Sequence, residues 1–193
     1  MGNEAVFRND LLSILIILGI FQGAFLAFFF LRKSSGNKKS NVYLGIILIL
    51  FAFHNLDFWA SYSRYVIKMP FIFDISVPFA FAMGPLFYQY IRTLIKDTAD
   101  KNLIWHYIPF AFFFVYSFFF LIQPDDFKYN VFISSRNIDL PLKEVTLNHS
   151  FDPLGLRSRI DFLIPVQLCI YLLLSYYVFV KHLAEKSINI LTP

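Results

Sequence analysis

Residues 11–31 read LLSILIILGIFQGAFLAFFFL, a predominantly apolar run without a charged side chain. At a rise of about 1.5 Å per residue, a helix of this length covers about 30 Å, the thickness of the hydrocarbon layer of a bilayer. Four further apolar stretches follow at residues 42–60, 71–91, 105–122 and 162–180. Helices at the surface of a soluble domain have a polar face, whereas these stretches are apolar all round. The sequence therefore predicts an all-α, multi-spanning membrane bundle with five transmembrane helices.

The composition supports this prediction. Hydrophobic residues make up 58% of the 193 residues, and the mean hydropathy is +0.59. The formal net charge of +4 would suggest a nucleic-acid partner in a soluble protein, but here Lys and Arg concentrate between the apolar stretches. We therefore expect one membrane domain over residues 1–193, surrounded by the lipid bilayer. It contains no soluble output domain, and we expect no nucleic-acid binding by this chain itself.

The distribution of positive charge predicts the orientation. Lys and Arg are dense in the short segments after the first, third and fifth stretches and diluted across residues 123–161. Because short cytoplasmic loops carry the excess of Lys and Arg, we expect the N-terminus outside, the C-terminus inside and 123–161 as an extracytoplasmic loop. In that loop, the loose alternation of residues 127–133 predicts a short strand or hairpin arm. The dense set comprises Arg32, Lys33, Lys38, Lys39, Arg92, Lys96, Lys101, Lys181 and Lys186.

Polar side chains occur toward the predicted outer ends of the second, third and fifth stretches. Such groups are costly in hydrocarbon and often mark a functional site. His54 and Asp57 are three residues apart and can share a helix face. We expect these groups to form a signal or ligand pocket that contains a histidine, a side chain whose charge changes near neutral pH. The alternative is that they are interfacial caps satisfied by neighbouring backbone. The predicted pocket comprises His54, Asn55, Asp57, Asp74, Asp161 and Gln167.

A second group of residues predicts helix packing and bending. Gly19, Gly23 and Ala27 form a small-residue stripe that allows close helix approach, and Gln22 beside them can hydrogen-bond across an interface. Prolines interrupt the third stretch at two sites, and because proline removes a helix donor, the second site is expected to kink or locally unwind the helix and to free carbonyl groups. Packing is the favoured role of these breaks, and a hinge or ligand site is the alternative. The two sites are Pro78 and Gly84-Pro85.

Sequence signatures of enzymes and metal sites are missing. The chain has no HExxH, no CxxC, no Gly-rich phosphate loop and no nucleophile elbow. Its histidines fall on both predicted sides of the membrane, and its one cysteine, Cys169, lies inside the fifth stretch. We therefore predict that the chain is not an enzyme and has no catalytic residues, metal or cofactor.

Three local motifs occur in a familiar order and spacing. They are GIFQG at residues 19–23, GPLFYQYIR at 84–92 and HYIPF at 106–110. In these motifs the chain resembles the N-terminal membrane region of membrane-bound AraC-type transcription regulators, which are common in Bacteroidetes. That family has about seven spans followed by a cytoplasmic helix-turn-helix DNA-binding domain. Related membrane regions also precede other output domains, such as histidine kinases.

The resemblance implies a sensor or anchor in the bacterial inner membrane that reports an outside or in-membrane signal, a small molecule or protons, to a cytoplasmic output domain. It also implies that this chain, which ends at Pro193 soon after the fifth stretch, is a truncated part of a seven-helix protein. Helix faces made for missing partners are expected to make it self-associate. The principal alternative is a small transporter or channel-like protein, although the sequence lacks the inverted repeat and paired broken helices typical of transporters.

Overall fold

The computed structural model describes residues 7–32, 36–96, 103–147 and 149–191. Two of the lysines used to predict the orientation, Lys33 and Lys101, lie outside these residues. The described residues form helices and connecting turns, with no strand among them. The helices are α1 (Leu11–Arg32), α2 (Lys38–Tyr62), α3 (Val77–Lys96), α4 (Leu103–His106), α5 (Ile108–Leu121), α6 (Asp125–Ser135) and α7 (Ile160–Leu191), with 3-10 turns at Tyr65–Ile67, Pro70–Ile72 and Arg157–Arg159.

The prediction of an all-helical fold whose helices are long and apolar enough to span a membrane is confirmed for the described residues. Four segments are long and apolar enough to cross a membrane: Leu11–Arg32, Lys38–Tyr62, Pro70–Lys96 and Arg157–Lys186. The fourth predicted stretch is divided, because α4 and α5 are separated at Tyr107 and α5 is only 14 residues long. Helices α5 and α6 together would make a fifth span, bent by 103° at the break between them.

The predicted strand at residues 127–133 is wrong, because these residues lie within α6. Pro124 precedes the helix, and Asp125 and Asp126 occupy its first turn, where carboxylates favour the positive end of the helix dipole. Tyr129, Phe132 and Ile133 are buried on one face, which is the spacing of a helix rather than of a strand. Segment 123–161 is therefore partly folded onto the bundle.

Helix α3 lies at the centre of the bundle. It packs against α2, α5 and α7, while α1 packs against α2. About half of its apolar window is buried, compared with 11% for α1 and α7, whose outer surfaces carry large apolar side chains. Exposed apolar surface of this extent is what a helix in contact with lipid tails requires.

The two ends of the bundle differ in chemistry. At the capped end, α2 ends, α3 begins and α6 packs over the 3-10 turns, where Ala60, Val66, Phe73 and Phe132 form a buried apolar cluster. At the basic end, Asn37 caps α2 by accepting from Ser40 N at 3.1 Å and donates to the Thr93 carbonyl of α3 at 2.6 Å. This end carries the described basic residues Arg32, Lys38, Lys39, Arg92, Lys96 and Lys181.

Candidate functional site

A hydrogen-bonded chain of three side chains joins α2 to the start of α3. Asp57 Oδ2 accepts from the Ser76 backbone N–H at 3.0 Å and from the Ser76 hydroxyl at 2.7 Å. His54 Nδ1 lies 2.9 Å from the same hydroxyl oxygen. Because Ser76 has one hydroxyl proton and gives it to Asp57, His54 Nδ1 is assigned as the donor. Asp57 and Ser76 are buried and His54 is exposed, so the chain leads from the surface to the N-terminus of α3.

The order of these groups bears on the question of catalysis. In a nucleophilic triad the imidazole lies between the hydroxyl and the carboxylate and accepts the hydroxyl proton. Here the hydroxyl of Ser76 lies in the middle and donates directly to Asp57. The serine is also buried, at 1% exposure, so no substrate reaches it. This order differs from that of a nucleophilic triad, and the contacts of Asp57 with Ser76 hold α2 against the start of α3.

A cavity of about 430 Å³ opens at the capped end, beside the hydrogen-bonded side chains of His54, Ser76 and Asp57. Asp74 lies on its wall and forms an ion pair with Arg157, which comes from the 3-10 turn before α7. The guanidinium of Arg157 also stacks on Phe120, at 3.3 Å from the ring centroid. Asp161 and Arg136 line the same cavity. The walls therefore carry two aspartates and two arginines, and Asp74 and Arg157 already form an ion pair with each other.

The backbone at Asp74 is held in an uncommon conformation. Its φ angle is +61°, in the left-handed region that residues other than glycine rarely adopt. Its carbonyl accepts from Val77 N at 3.3 Å in the first turn of α3. A strained residue at a cavity wall is held in place by its surroundings, here by the turn and by the pair with Arg157. Asp74 is therefore a fixed link between the cavity and the start of α3.

The structure brings some of the predicted pocket residues together and not others. Asp74 and Asp161 line the cavity, and Asp57 and His54 lie behind it in the Ser76 chain. Asn55 donates instead to the Phe51 carbonyl of its own helix at 2.8 Å. Gln167 donates to the Phe81 carbonyl of α3 at 3.0 Å, away from the cavity lining.

Three residues of the site were missed by the sequence analysis: Ser76, Arg136 and Arg157. Both arginines lie in the long segment 123–161, and their charge was used only to predict the orientation in the membrane. Arg157 is 83 positions from Asp74, a pairing that no local pattern reveals. The available signal was indirect, because a carboxylate at the depth of Asp74 requires a cationic partner.

Gln167 has a specific structural role in the bundle. Pro85 has no N–H, so the carbonyl of Phe81, four residues earlier in α3, loses its helical partner. The amide of Gln167 on α7 donates to this carbonyl. The hydrogen bond confirms that Pro85 frees a carbonyl for a neighbour, while the helix itself continues from Val77 to Lys96 without unwinding. Pro78 lies in the first turn of α3, where no intrahelical hydrogen bond is lost. The residues before Val77 form turns, so the third stretch is interrupted at its start rather than within the helix.

Replacing Gln167 with Leu is expected to lower the free energy of unfolding by about 1 kcal/mol, the value of one interhelical hydrogen bond. Restoring the backbone donor with Pro85→Ala should make the same replacement nearly neutral, because Phe81 then has a partner inside its own helix. Detergent-denaturation curves of the two single variants and the double variant measure this coupling. Equal losses in both backgrounds would contradict the assignment.

Two of the three sequence motifs meet nearer the basic end, around Tyr171 of α7. The Tyr171 hydroxyl donates to the His106 carbonyl at 3.1 Å, and His106 Nδ1 lies 3.2 Å from the hydroxyl oxygen. The rings of Tyr88 and His106 are 5.1 Å apart. A Cβ atom added to Gly84 would lie 2.7 Å from Tyr171 Cδ2, so the glycine permits the close contact of α3 and α7. These motif residues build one three-helix contact.

The small-residue stripe of α1 is only partly used within the bundle. Gly23 and Ala27 are buried, and Gly23 packs against Ala52 of α2. Gly19 has open space beside it, and Gln22 is exposed. The expected close packing therefore holds for two of its three members.

Comparison with protein-family models, with curated proteins and with solved structures returns no match. Within the described ranges, no group of three or more His, Cys, Asp or Glu side chains could hold a metal ion.

Proposed function

We propose that this chain is the membrane-embedded sensor and anchor region of a bacterial signal-transducing transcription regulator, located in the inner membrane. It receives an outside or in-membrane signal at the capped end and passes it to a cytoplasmic DNA-binding domain. The observation that carries the proposal is the polar cavity of the capped end, whose Asp74 sits at the start of the central helix α3.

Helix α3 supplies the physical connection between the two ends. Its N-terminus is attached to α2 through Ser76 and Asp57, and to the segment before α7 through Asp74 and Arg157. Its other end reaches the loop before α2 through Thr93 and Asn37. A ligand that competes for Asp74 or Arg157 changes the contacts of α3 at the capped end. A helix packed on three sides transmits such a change as a small rigid movement.

The chemistry of the cavity narrows the class of signal. Asp161 and Arg136 offer one carboxylate and one guanidinium beyond the Asp74–Arg157 pair, and His54 leads into the Ser76 chain. Protons, or a small cationic or hydrogen-bonding molecule, would act on these groups. The dense positive charge of the basic end supports its placement in the cytoplasm, with the N-terminus and the capped end outside. Exposed Gly19 and Gln22 support self-association through α1.

The apolar middle of α3 favours a sensor over a transporter or channel. Between the cavity and the basic end, α3 buries Phe81, Ala82 and Leu86. Phe81 stacks on Phe113 of α5 with ring centroids 3.9 Å apart and nearly parallel planes. A polar substrate would have to displace this contact to cross the bundle, whereas a signal carried by helix movement would not.

A reporter fusion tests the proposal. The full chain, joined at its C-terminus to a DNA-binding domain that acts only as a dimer, is expressed in bacteria at external pH values from about 5.5 to 8 and with a panel of small cations. We expect Asp74→Asn and His54→Ala to change the signal-dependent output by about fivefold or more, the lower range of allosteric coupling. Immunoblots of washed membranes verify insertion of each variant.

Asn55→Ala is the matched control for this experiment. Asn55 neighbours His54 in α2, but its side chain bonds only to its own helix, so its removal should leave the output unchanged. If Asp74→Asn and His54→Ala respond like the parent protein under every condition, the polar groups are structural caps and the sensor assignment is wrong.

A further inference from the structure

A second cavity at the capped end is lined by arginines. Its volume is about 130 Å³, and Arg8, Arg64 and Arg136 lie on its wall together with Ser61 and Tyr62. They come from the segment before α1, the turn after α2 and the C-terminal cap of α6. Three separate segments thus bring arginines to the wall of one small cavity, and this concentration of positive charge favours an anion.

The acidic groups of this region compensate only part of the positive charge, because Asp10 interacts electrostatically with Arg8 alone among the three arginines. Asp10 and Asp139 are close to Arg8 and Arg136 along the chain, but neither lines the cavity. The Tyr62 hydroxyl donates to Asp10 at 2.6 Å and is the main reason that the pKa of this carboxyl is lowered. Among the described residues, the ion pairs found do not include Arg64 or Arg136.

Backbone contacts hold the three segments that carry the arginines, of which Arg8 and Arg136 are exposed and Arg64 is half-buried. Arg8 N donates to the Ser63 carbonyl at 3.2 Å, which ties the segment before α1 to the end of α2. Arg64 has a φ angle of +65°, a conformation that glycine would adopt without strain. Arg64 therefore occupies a backbone position that favours glycine, at the wall of this cavity. Arg136 N donates to the Phe132 carbonyl at 3.1 Å in the α6 cap.

We propose that this cavity binds the phosphate group of an anionic phospholipid. Guanidinium groups match phosphate oxygens in bidentate geometry, and the single negative charge of a phosphodiester would lower the repulsion among the arginines. The cavity lies where α1 begins at Leu11 and α2 ends at Tyr62, the boundary of two apolar segments at which headgroups are found. The exposed apolar side chains of α1 lie below this level and suit the acyl chains. The two cavities share Arg136, but the lipid assignment does not require the sensor proposal, because Arg8 and Arg64 line this cavity alone.

Lipid retention by the full chain provides the test. The protein is purified in mild detergent, mixed with phosphatidylglycerol or with phosphatidylcholine, and analysed by native mass spectrometry, with and without inorganic phosphate at about 10 mM. We expect one phosphatidylglycerol to be retained in preference to phosphatidylcholine. Arg64→Gly should lower this retention about tenfold while relieving backbone strain, so loss of folding cannot explain it. Arg136→Gln should act in the same direction.

Arg159→Gln is the matched control, because Arg159 is exposed on the 3-10 turn before α7 and does not line the cavity. It removes the same charge and should leave retention unchanged. Displacement of the lipid by inorganic phosphate would mean that the cavity is a free-phosphate site and would overturn the lipid assignment. Equal retention by the parent, Arg64→Gly and Arg159→Gln proteins would show that no phosphate group binds here.

Discussion

Replacing Asp57 with Ala is expected to lower the free energy of unfolding by about 2–3 kcal/mol, among the largest effects of a single substitution in this chain. Asp57 accepts both the backbone N–H and the hydroxyl of Ser76, and all three groups are removed from solvent. Without the carboxylate, the N–H at the start of α3 has lost its partner, and the negative charge near the helix N-terminus is gone.

Denaturation in mixed micelles, followed by tryptophan fluorescence, measures this loss. Asp57→Asn keeps one carbonyl oxygen as an acceptor and should lose only about 1 kcal/mol. Asn55→Ala serves as the control on the same helix, because the Asn55 amide bonds only to Phe51. If Asp57→Ala and Asn55→Ala are equally stable, Asp57 does not hold the start of α3.

Replacing Gly84 with Ala is expected to destabilise the bundle by about 1–3 kcal/mol, although alanine is the better helix former. The added Cβ would lie 2.7 Å from Tyr171 Cδ2 and 3.2 Å from Tyr171 Cβ, so the whole side chain would have to move. Tyr171 is buried and its hydroxyl is attached to His106, so it cannot withdraw without losing those bonds. Overpacking therefore outweighs the gain in helix propensity.

Gly19→Ala is the matched control on a different helix. Nothing lies within 4 Å of a Cβ at Gly19, so this variant should be as stable as the parent or slightly more stable. In a Tyr171→Ala background the space is open, and Gly84→Ala should no longer destabilise the protein. Denaturation curves for the parent, Gly84→Ala, Tyr171→Ala and the double variant give the coupling energy. A neutral Gly84→Ala in the parent background would contradict the close contact of α3 and α7.

The apolar helices could be predicted from the sequence because the signal is long. Nearly every residue in a run such as 11–31 is apolar, and the length of the run alone distinguishes it from a helix of a soluble protein. Segment 127–133 is short, and a loose alternation over seven residues fits either period. As part of a helix, Tyr129 and Phe132 pack into the apolar cluster of the capped end. Their partners in that cluster lie far away in the sequence, so the local pattern does not reveal these contacts.

The candidate site could be predicted only in part, for a related reason. His54 and Asp57 lie three residues apart, so the helix period places them on one face, and both contact Ser76. Asn55 is one residue from His54, yet its amide donates to a carbonyl of its own helix. The residue type alone does not reveal which hydrogen-bond partner a polar side chain has. The pairing of Asp74 with Arg157 depends on how α7 meets α3, which is tertiary information.

Cysteine accessibility in intact cells tests the central claim most directly, namely that the capped end faces outside and the basic end faces the cytoplasm. In a Cys169→Ser background, single cysteines replace Thr146, in the exposed segment after α6, or Lys186, near the end of α7. A membrane-impermeant maleimide should label the cysteine at position 146 in intact cells and the one at position 186 only after the membrane is permeabilised. Labelling at 186 with protection at 146 would place the signal site in the cytoplasm and contradict the account.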